Sequence, residues 1–207
     1  MYLNIKQLPN TAYQSVYADM LSSLEWEKVH TLIITEHLPV YTLGYRFKEP
    51  RFKQHTDIPV IHTDRGGNIT YHGPGQIVFY PLCHLPSLNA SPVEWVHQLE
   101  SVMIQALNKL GLACHADKNK PGLYINQSKI ASIGVRVRKN RSYHGIALNH
   151  KMDLSPFDNI APCGYDGLEM TSVSQFLDVS RDQIIASFIQ EFCRTFGLNT
   201  HYDCETT

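Results

Sequence analysis

The 207-residue sequence has little of the features that mark several specialised classes of protein. Its 18 Lys and Arg residues are balanced by 19 Asp and Glu, so it lacks the excess of basic charge that binds nucleic acid or anionic membranes. It has no apolar run approaching about 18 residues, the length that a membrane-spanning helix needs. Its N-terminus lacks the basic-then-apolar pattern of a secretory signal. We therefore expect a soluble cytoplasmic protein.

Cysteine pairs and nucleotide-binding patterns are also missing. The five cysteines are scattered and none forms a C-x-x-C pair, which argues against a disulfide framework or a structural zinc site. No Gly-Lys-Ser/Thr follows a glycine-rich stretch, so the chain has no P-loop, and the dinucleotide pattern is absent. The sequence thus predicts a protein of a reducing compartment without a metal site.

Capping and periodicity patterns predict both helices and strands. Pairs of Ser or Thr with Glu or Gln three residues later predict helices that begin near Thr11, Ser91 and Ser180. Strand-like runs lie at residues 31–35, 58–62, 76–82, 129–137 and 143–148, and the last two are expected to form a hairpin. Because strands and helices do not alternate strictly and no linker divides the chain, we expect a single α+β domain over residues 1–207.

A glycine-rich segment at residues 64–76 is the densest local signal. Four of its thirteen residues are glycine, which permits positive φ angles and close approach of the backbone to a ligand. Arg65, Thr70, His72 and Gln76 add polar side chains beside that backbone. The residues alone leave two interpretations open, a ligand-binding loop or a tight hairpin whose glycines serve only the turns.

Cys163 and Lys129 are the candidates for covalent chemistry. Cys163 lies between Pro162 and Gly164, in a loop where a thiol is accessible to substrate. Lys129 begins an apolar strand, and its side chain points either into a site or, as is commoner, into solvent. An ammonium about 4 Å from the sulfur, at an effective dielectric near 20, would favour the thiolate by up to about 4 kcal/mol. Half of that effect would lower the pKa of the thiol to about 7 and ionise about half of it at pH 7 without a histidine base.

Four segments follow one another over about residues 31–196: HLPVYTLGYR, RGGNITYHGPGQ, KIASIGVRV followed by YHGIALN, and APCGYDGLEMTSV. In sequence, order and spacing they resemble the octanoyltransferases of lipoate biosynthesis. The resemblance implies a single catalytic domain with the α+β fold of biotin and lipoate protein ligases, in which mixed sheets are flanked by helices.

The resemblance also implies roles for individual residues. Cys163 would carry the acyl group, and Lys129 would lower the pKa of its thiol. Three segments would contact the substrate: Arg65, Gly66, Gly67, Asn68, Ile69, Thr70, Tyr71 and His72; Ser132, Ile133 and Gly134; and Gly145, Ile146 and Ala147.

The implied reaction is a two-step acyl transfer that begins endogenous protein lipoylation. Cys163 would take an octanoyl or lipoyl group from acyl carrier protein as a thioester. A lysine of a lipoyl-accepting domain, in 2-oxoacid dehydrogenases or the glycine cleavage protein, would then receive it as an amide. Because a thioester is converted to an amide, no ATP or other cofactor is implied, and neither nucleic acid nor membrane is an expected partner.

Two other functions remain open at this point. An ATP-dependent lipoate or biotin protein ligase would share the fold but would need no nucleophilic cysteine. A non-catalytic homologue would bind an acyl group without forming a covalent adduct.

Basic residues are concentrated in one part of the sequence. Seven of the 18 basic residues, and no acidic residue, lie between Lys118 and Arg141. They form either a docking surface for an acidic carrier or a solvated hairpin face.

Neither His72 nor His144 is bracketed by carboxylates in the sequence, so we expect both to orient substrate or loops rather than transfer protons.

Overall fold

The fold is given by a computed structural model, which describes residues 1–23, 29–45, 47, 52–161 and 167–202. The strands are β1 (Tyr2–Thr11), β2 (His30–His37), β3 (Val40–Leu43), β4 (Val60–His62), β5 (Ile69–His72), β6 (Gln76–Leu82), β7 (His115–Asp117), β8 (Lys120–Ile125), β9 (Ser128–Arg138), β10 (Arg141–Asn149) and β11 (Asn199–Tyr202). The helices are α1 (Tyr13–Ser23), α2 (Pro92–Lys109), α3 (Ser155–Asp158) and α4 (Arg181–Phe196). None of the helices in these ranges is both long and apolar enough to cross a membrane.

The strands form two mixed sheets. The larger has the order β11-β1-β2-β6-β10-β9-β8-β7, with parallel pairing between β11, β1 and β2 and antiparallel pairing beyond. The smaller has the order β4-β3-β5, in which β3 is parallel to β4 and antiparallel to β5. This architecture confirms the predicted α+β class with mixed sheets flanked by helices.

Alternation along β6 separates the two faces of the larger sheet. Phe79 packs in the main core, where its ring lies 4.1 Å from that of Phe188 in α4. Val78 and Tyr80 point to the opposite face and pack in the cluster that contains Val16 of α1. Helices α2 and α4 therefore cover one face, and α1 covers part of the other.

Two of the three predicted helix starts are confirmed. Ser91 and Ser180 cap α2 and α4 with complete capping boxes, because each side chain accepts a backbone N–H while the partner side chain accepts the cap's own N–H. The predicted box at Thr11 is wrong. Thr11 is the last residue of β1 and its hydroxyl donates to the Pro9 carbonyl oxygen, so Ala12 precedes α1.

The predicted hairpin is formed by β9 and β10. Its turn residues Lys139 and Asn140 have φ angles of 51° and 62°, as the two central positions of a type I′ turn require. The register places Gly145 opposite Gly134, with Ile146 opposite Ile133. Two of the three predicted substrate-binding segments are therefore neighbours in the sheet.

Candidate active site

A cleft of about 440 Å³, part of it open to solvent, lies between the hairpin face of the larger sheet and the glycine-rich loop before β5. Residues predicted to contact substrate that line it are Arg65, Gly67, Asn68, Thr70, His72, Ser132, Ile133, Gly134, Gly145, Ile146 and Ala147. Four further residues also line the cleft: Tyr13, Val78 and Tyr80, which the sequence motifs do not indicate, and His144, which was not among the predicted substrate contacts.

Three of the predicted contacts, Gly66, Ile69 and Tyr71, lie outside the lining of the cleft. Side chains alternate along β5, so Thr70 and His72 face the cleft while Ile69 and Tyr71 pack in a separate apolar cluster. The ring of Tyr71 lies 5.6 Å from that of Phe157, edge to face. Ile69 and Tyr71 therefore stabilise the small sheet and do not face the cleft.

Main-chain contacts join the glycine-rich loop to β9. The Gly66 N–H donates to the Val135 carbonyl oxygen at 3.2 Å. A Cβ atom on Gly134 would lie 2.8 Å from the Gly66 carbonyl oxygen, so a glycine is needed for this approach. The segments that begin at Arg65 and Ser132, far apart in sequence, thus form one wall.

Arg65 shapes the loop from within. Its buried guanidinium donates to the carbonyl oxygens of Thr42 (2.6 Å), Asn68 (2.7 Å) and Gly66 (2.9 Å), and its Nε donates to the Thr42 hydroxyl at 3.0 Å. Two of these bonds are to the loop and two are to Thr42 of β3, so Arg65 ties the loop to the small sheet. This arrangement positions Gly67 and Asn68, which line the cleft.

Asp64 is the centre of a polar cluster that the sequence did not indicate. Its carboxylate accepts hydrogen bonds from the Tyr17 hydroxyl (2.9 Å), from His144 Nε2 (2.8 Å) and from the Tyr143 hydroxyl. Although burial acts to raise the pKa of Asp64, these three donors hold it well below its usual range. His144 thus has a carboxylate partner in the fold, and the sequence did not indicate it because 80 positions separate the two residues along the chain.

A second buried histidine lies below the cleft. His37 bonds the Thr11 carbonyl oxygen through Nδ1 at 3.0 Å and the Tyr80 hydroxyl through Nε2 at 2.8 Å. Burial lowers the pKa of His37 to about 4, so the ring is neutral near pH 7. Tyr13 lies beside it, with ring centroids 5.0 Å apart.

His72 is held by a chain of side-chain amides. Its Nδ1 lies 2.7 Å from Gln76 Oε1, Gln76 Nε2 donates to Asn149 Oδ1 at 3.0 Å, and Asn149 Nδ2 donates to the Thr171 carbonyl oxygen at 2.9 Å. Burial holds the pKa of His72 well below its usual value, which makes the ring neutral. The ring still lines the cleft.

Lys129 is fully buried, so the interpretation that it points into solvent is wrong. Its Nζ lies 5.4 Å from the centroid of the Tyr124 ring. Gly122 has a φ of +128°, and a Cβ atom there would collide with Lys129 Cε, so the lysine stem occupies the space of a missing side chain. The Lys129 side chain therefore has a defined place inside the protein, beside Gly122 and Tyr124, instead of lying on its surface.

The main chain of Lys129 bonds to the segment that follows Cys163. Its N–H donates to the Glu169 carbonyl oxygen at 2.8 Å, and its carbonyl oxygen accepts from Thr171 at 2.9 Å, with Met170 bridged between them. The predicted nucleophile Cys163 itself lies outside the described residues.

The described cysteines and acidic groups do not offer an alternative centre. Burial raises the pKa of the Cys83 and Cys193 thiols, and that of Cys114 to about 11, so these thiols are un-ionised at pH 7. Within the described ranges, no group of three or more His, Cys, Asp or Glu side chains is arranged to hold a metal ion.

The Asp64 cluster predicts an acid-sensitive contribution to stability. Because the pKa of folded Asp64 lies below its unfolded value near 3.8, the stabilisation is complete above that pH and is lost as the pH falls further. Its side chain is one-third exposed (34%), so we expect Asp64→Asn to lower the free energy of unfolding by only about 1–2 kcal/mol at pH 7. Urea titrations from pH 7 to pH 2 should show the gap between variant and wild type closing at low pH, and a gap that is constant with pH would contradict this account.

Comparison with known proteins decides the family. The profile of the lipoyl protein ligase A/B catalytic domain matches residues 8–193. The chain belongs to this family. Among curated relatives, the octanoyltransferase of Shewanella woodyi is 38% identical over 97% of this chain and 91% of its own length. The octanoyltransferase of Hydrogenovibrio crunogenus is 41% identical over 86% and 88%. The resemblance to octanoyltransferases and the enzyme class, acyltransferase, are thereby confirmed.

Solved structures of the lipoyl protein ligase family share the fold at low identity. A bi-partite lipoate protein ligase from Thermoplasma acidophilum has a TM-score of 0.81 at 18% identity, over 98% of this chain and 87% of that one. Lipoate-protein ligase A bound with ATP has a TM-score of 0.79 at 17% identity, over 98% and 89%. The biotin protein ligase of Aquifex aeolicus has a TM-score of 0.59 at 12% identity, over 95% and 70%. The predicted fold of biotin and lipoate ligases is confirmed.

Proposed function

We propose that this protein transfers an octanoyl or lipoyl group from acyl carrier protein to a lysine of a lipoyl-accepting domain, through a thioester on Cys163. The observation that carries the proposal is the burial of Lys129 against the segment that follows Cys163. A buried ammonium is costly unless a partner offsets its desolvation, and a thiolate is such a partner.

Chain geometry supports a meeting of the two side chains. Gly167 lines the same polar cleft as Tyr124, over whose ring the Lys129 ammonium lies. Cys163 is four residues from Gly167, a span of at most about 14 Å in an extended chain. Lys129 is therefore within the reach of the Cys163 segment.

The cleft suits an acyl chain. Val78 and Ala147 supply apolar side chains, and glycine backbone completes the wall where the two segments meet. Burial of about seven methylene and methyl groups would contribute around 5 kcal/mol to binding. We propose that the predicted substrate-contact residues that line the cleft hold the acyl group there.

Sequence similarity favours a carrier-dependent transferase over an ATP-dependent ligase. Both share this fold, because lipoate-protein ligase A bound with ATP superposes on nearly all of the chain. The octanoyltransferases, however, are 36–42% identical to it, whereas the lipoate ligases from Thermoplasma and the ATP-bound ligase are 16–18% identical. Cys163 and Lys129 stand in motifs that a ligase, which activates an acid with ATP, would not need.

The proposed donor and acceptors follow from the same reaction. Acceptors would be the lipoyl domains of 2-oxoacid dehydrogenases and the glycine cleavage protein, and the reaction would take place in the cytoplasm. An acidic carrier would dock on the exposed basic side chains of the hairpin region, Lys118, Arg136, Arg138 and Lys139. Arg141 does not belong to that surface, because it is buried and donates to the Val29 carbonyl oxygen at 2.6 Å.

The proposal is tested by transfer in the absence of ATP. The purified chain, octanoyl-acyl carrier protein and a lipoyl domain are incubated without nucleotide, and the lipoyl domain is weighed by intact mass spectrometry. We expect an octanoyl amide on one lysine of the domain. Transfer that occurs only from free octanoate with ATP would show a ligase, and binding without transfer would show a non-catalytic homologue.

A further inference from the structure

A second cleft of about 890 Å³, part of it open to solvent, lies beside β7 and β8 at one edge of the larger sheet. Its lining is polar and includes the side chains of Lys120, Asn126 and Gln127 and the carboxylates of Asp117 and Glu169. Polar groups of this kind offer hydrogen bonds that a hydrocarbon chain cannot use. This polar cleft therefore suits a ligand that carries amide or charged groups.

Strand register places Lys129 on the face of the sheet that both clefts share. The pairing of β8 with β9 shifts by one residue between Leu123 and Tyr124. Leu123 lies opposite Ala131, and both pack in the main core. Tyr124 lies opposite Lys129, so this pair faces the other side of the sheet. Ser132, which follows Ala131 and lines the cleft beside the glycine-rich loop (here the acyl cleft), faces that side as well.

The polar cleft reaches the Lys129 side chain and main chain. Tyr124 lines this cleft, and the Lys129 ammonium lies 5.4 Å from the centroid of the Tyr124 ring. Glu169 also lines it, and the Glu169 carbonyl oxygen accepts the Lys129 N–H at 2.8 Å. The polar cleft thus lies on the β8 side of Lys129, and the acyl cleft lies on the β10 side.

A donor thioester needs two binding regions, because its carbonyl carbon joins two groups. One is the octanoyl chain, and the other is the sulfur of the phosphopantetheine arm of the carrier. In the proposed first half-reaction the Cys163 thiolate forms a bond to that carbon, the bond to the arm sulfur breaks, and the arm leaves as a thiolate. When the octanoyl chain occupies the acyl cleft, the arm has to lie along a different path.

The chemistry of the arm matches the lining of the polar cleft. The arm carries two amide groups and, at its far end, one phosphate. The side-chain amides of Asn126 and Gln127 can donate to and accept from amide groups. Lys120 lines the same cleft, and Lys118 is exposed in the turn before it, so a phosphate would meet positive charge there.

Two carboxylates also line the polar cleft, and both accept hydrogen bonds from the chain. Asp117 Oδ1 accepts the Asn119 N–H at 2.8 Å, and Glu169 Oε2 accepts the Ser128 hydroxyl at 3.3 Å. The two lysines beside the cleft balance the charge of these carboxylates. A lining without a large excess of either charge suits an arm that is uncharged along most of its length.

From these observations we infer that the polar cleft binds the phosphopantetheine arm of the carrier in the first half-reaction, an inference that rests on the proposed function. The octanoyl chain lies in the acyl cleft and the thioester lies beside Lys129. The arm passes Tyr124 and Gln127, and its phosphate lies near Lys120. The chain therefore recognises the arm itself in addition to the surface of the carrier protein.

Three octanoyl thioesters of different length test this inference. Octanoyl-4′-phosphopantetheine has the whole arm, octanoyl-pantetheine lacks the phosphate, and octanoyl-N-acetylcysteamine keeps only the end next to the sulfur. The rate of octanoyl-enzyme formation by the full chain is followed by intact mass. We expect the second-order rate constant to fall at least about tenfold from the longest thioester to the shortest, because hydrogen bonds to the arm are lost.

Two variants of the polar cleft and one control complete the experiment. Gln127→Trp fills the cleft and should bring the rate with octanoyl-4′-phosphopantetheine to within about threefold of the rate with octanoyl-N-acetylcysteamine. Lys120→Gln should slow only the phosphorylated thioester, by about fivefold, the upper range for an exposed ion pair. Gln7→Trp, at an exposed position of β1 outside both clefts, should match wild type with all three thioesters.

Several results would overturn the inference. They are equal rates of wild type with all three thioesters, or cleft variants that melt with wild type and slow all three alike or none of them. A Gln127→Trp variant that slows only the transfer from preformed octanoyl-enzyme to a lipoyl domain would assign the cleft to the acceptor instead. If wild type forms no octanoyl-enzyme from any thioester, octanoyl-carrier included, the proposed function itself fails.

Discussion

Cys163→Ser is expected to abolish the octanoyl adduct that wild type forms with octanoyl-acyl carrier protein. A thiol near pKa 8.5 ionises readily beside a cation, whereas an alcohol stays protonated in the same surroundings, so serine keeps the shape but loses the nucleophile. The measurement is intact mass after incubation with octanoyl-carrier and no acceptor. We expect one added octanoyl group on wild type and none on the variant.

Cys114→Ser provides the matched control for this result. Cys114 is half-buried beside the main core and burial raises the pKa of its thiol to about 11, so its removal should leave the adduct intact. An adduct that persists in Cys163→Ser, or that disappears in Cys114→Ser, would show that the acyl group is carried elsewhere.

Lys129→Met is expected to slow formation of the octanoyl-enzyme about 10²–10³-fold at pH 7. Methionine fills a similar volume beside Gly122 but removes the charge, so the thiolate loses up to about 4 kcal/mol of stabilisation. Stopped incubations analysed by mass give the rate of adduct formation at each pH.

The pH dependence separates this effect from structural damage. As the pH rises above about 9 the thiol ionises without help, so the rate of adduct formation by Lys129→Met should approach that of wild type. A deficit that is the same at pH 7 and pH 10 would mean that the substitution displaces Cys163 or the cleft instead of changing its ionisation.

The larger elements of the fold were predictable because they carry local signals. The capping boxes at Ser91 and Ser180 place α2 and α4 at their observed starts, and strand β6 is predicted with its observed bounds. The small sheet was largely missed because β3, β4 and β5 have only three or four residues each, too few for a period to show. Strand β1 was missed as well, since its burial pattern does not alternate cleanly beyond Ile5.

The candidate site was predictable to the extent that it is encoded in contiguous motifs. The glycine-rich loop and the hairpin were identified as segments, but only strand alternation, visible in the structure, shows that Thr70 faces the cleft and Tyr71 does not. The partners of the histidines were not predictable. His144 meets Asp64 across 80 positions and Gln76 meets Asn149 across 73, and no local pattern records such pairs.

The main-chain contact between Gly66 and β9 fixes the distance between the glycine-rich loop and the larger sheet. Substitutions elsewhere in the cleft do not alter this distance. The Gly66 carbonyl oxygen faces Gly134, whose main chain lines the cleft, and the hydrogen bond from Gly66 to Val135 holds the two segments together. The width of the cleft beside Gly134 is therefore set by main-chain atoms and does not depend on which side chains surround it. In the proposed transfer, selectivity for longer or shorter acyl chains would then depend on side chains elsewhere in the wall, such as Val78 and Tyr80.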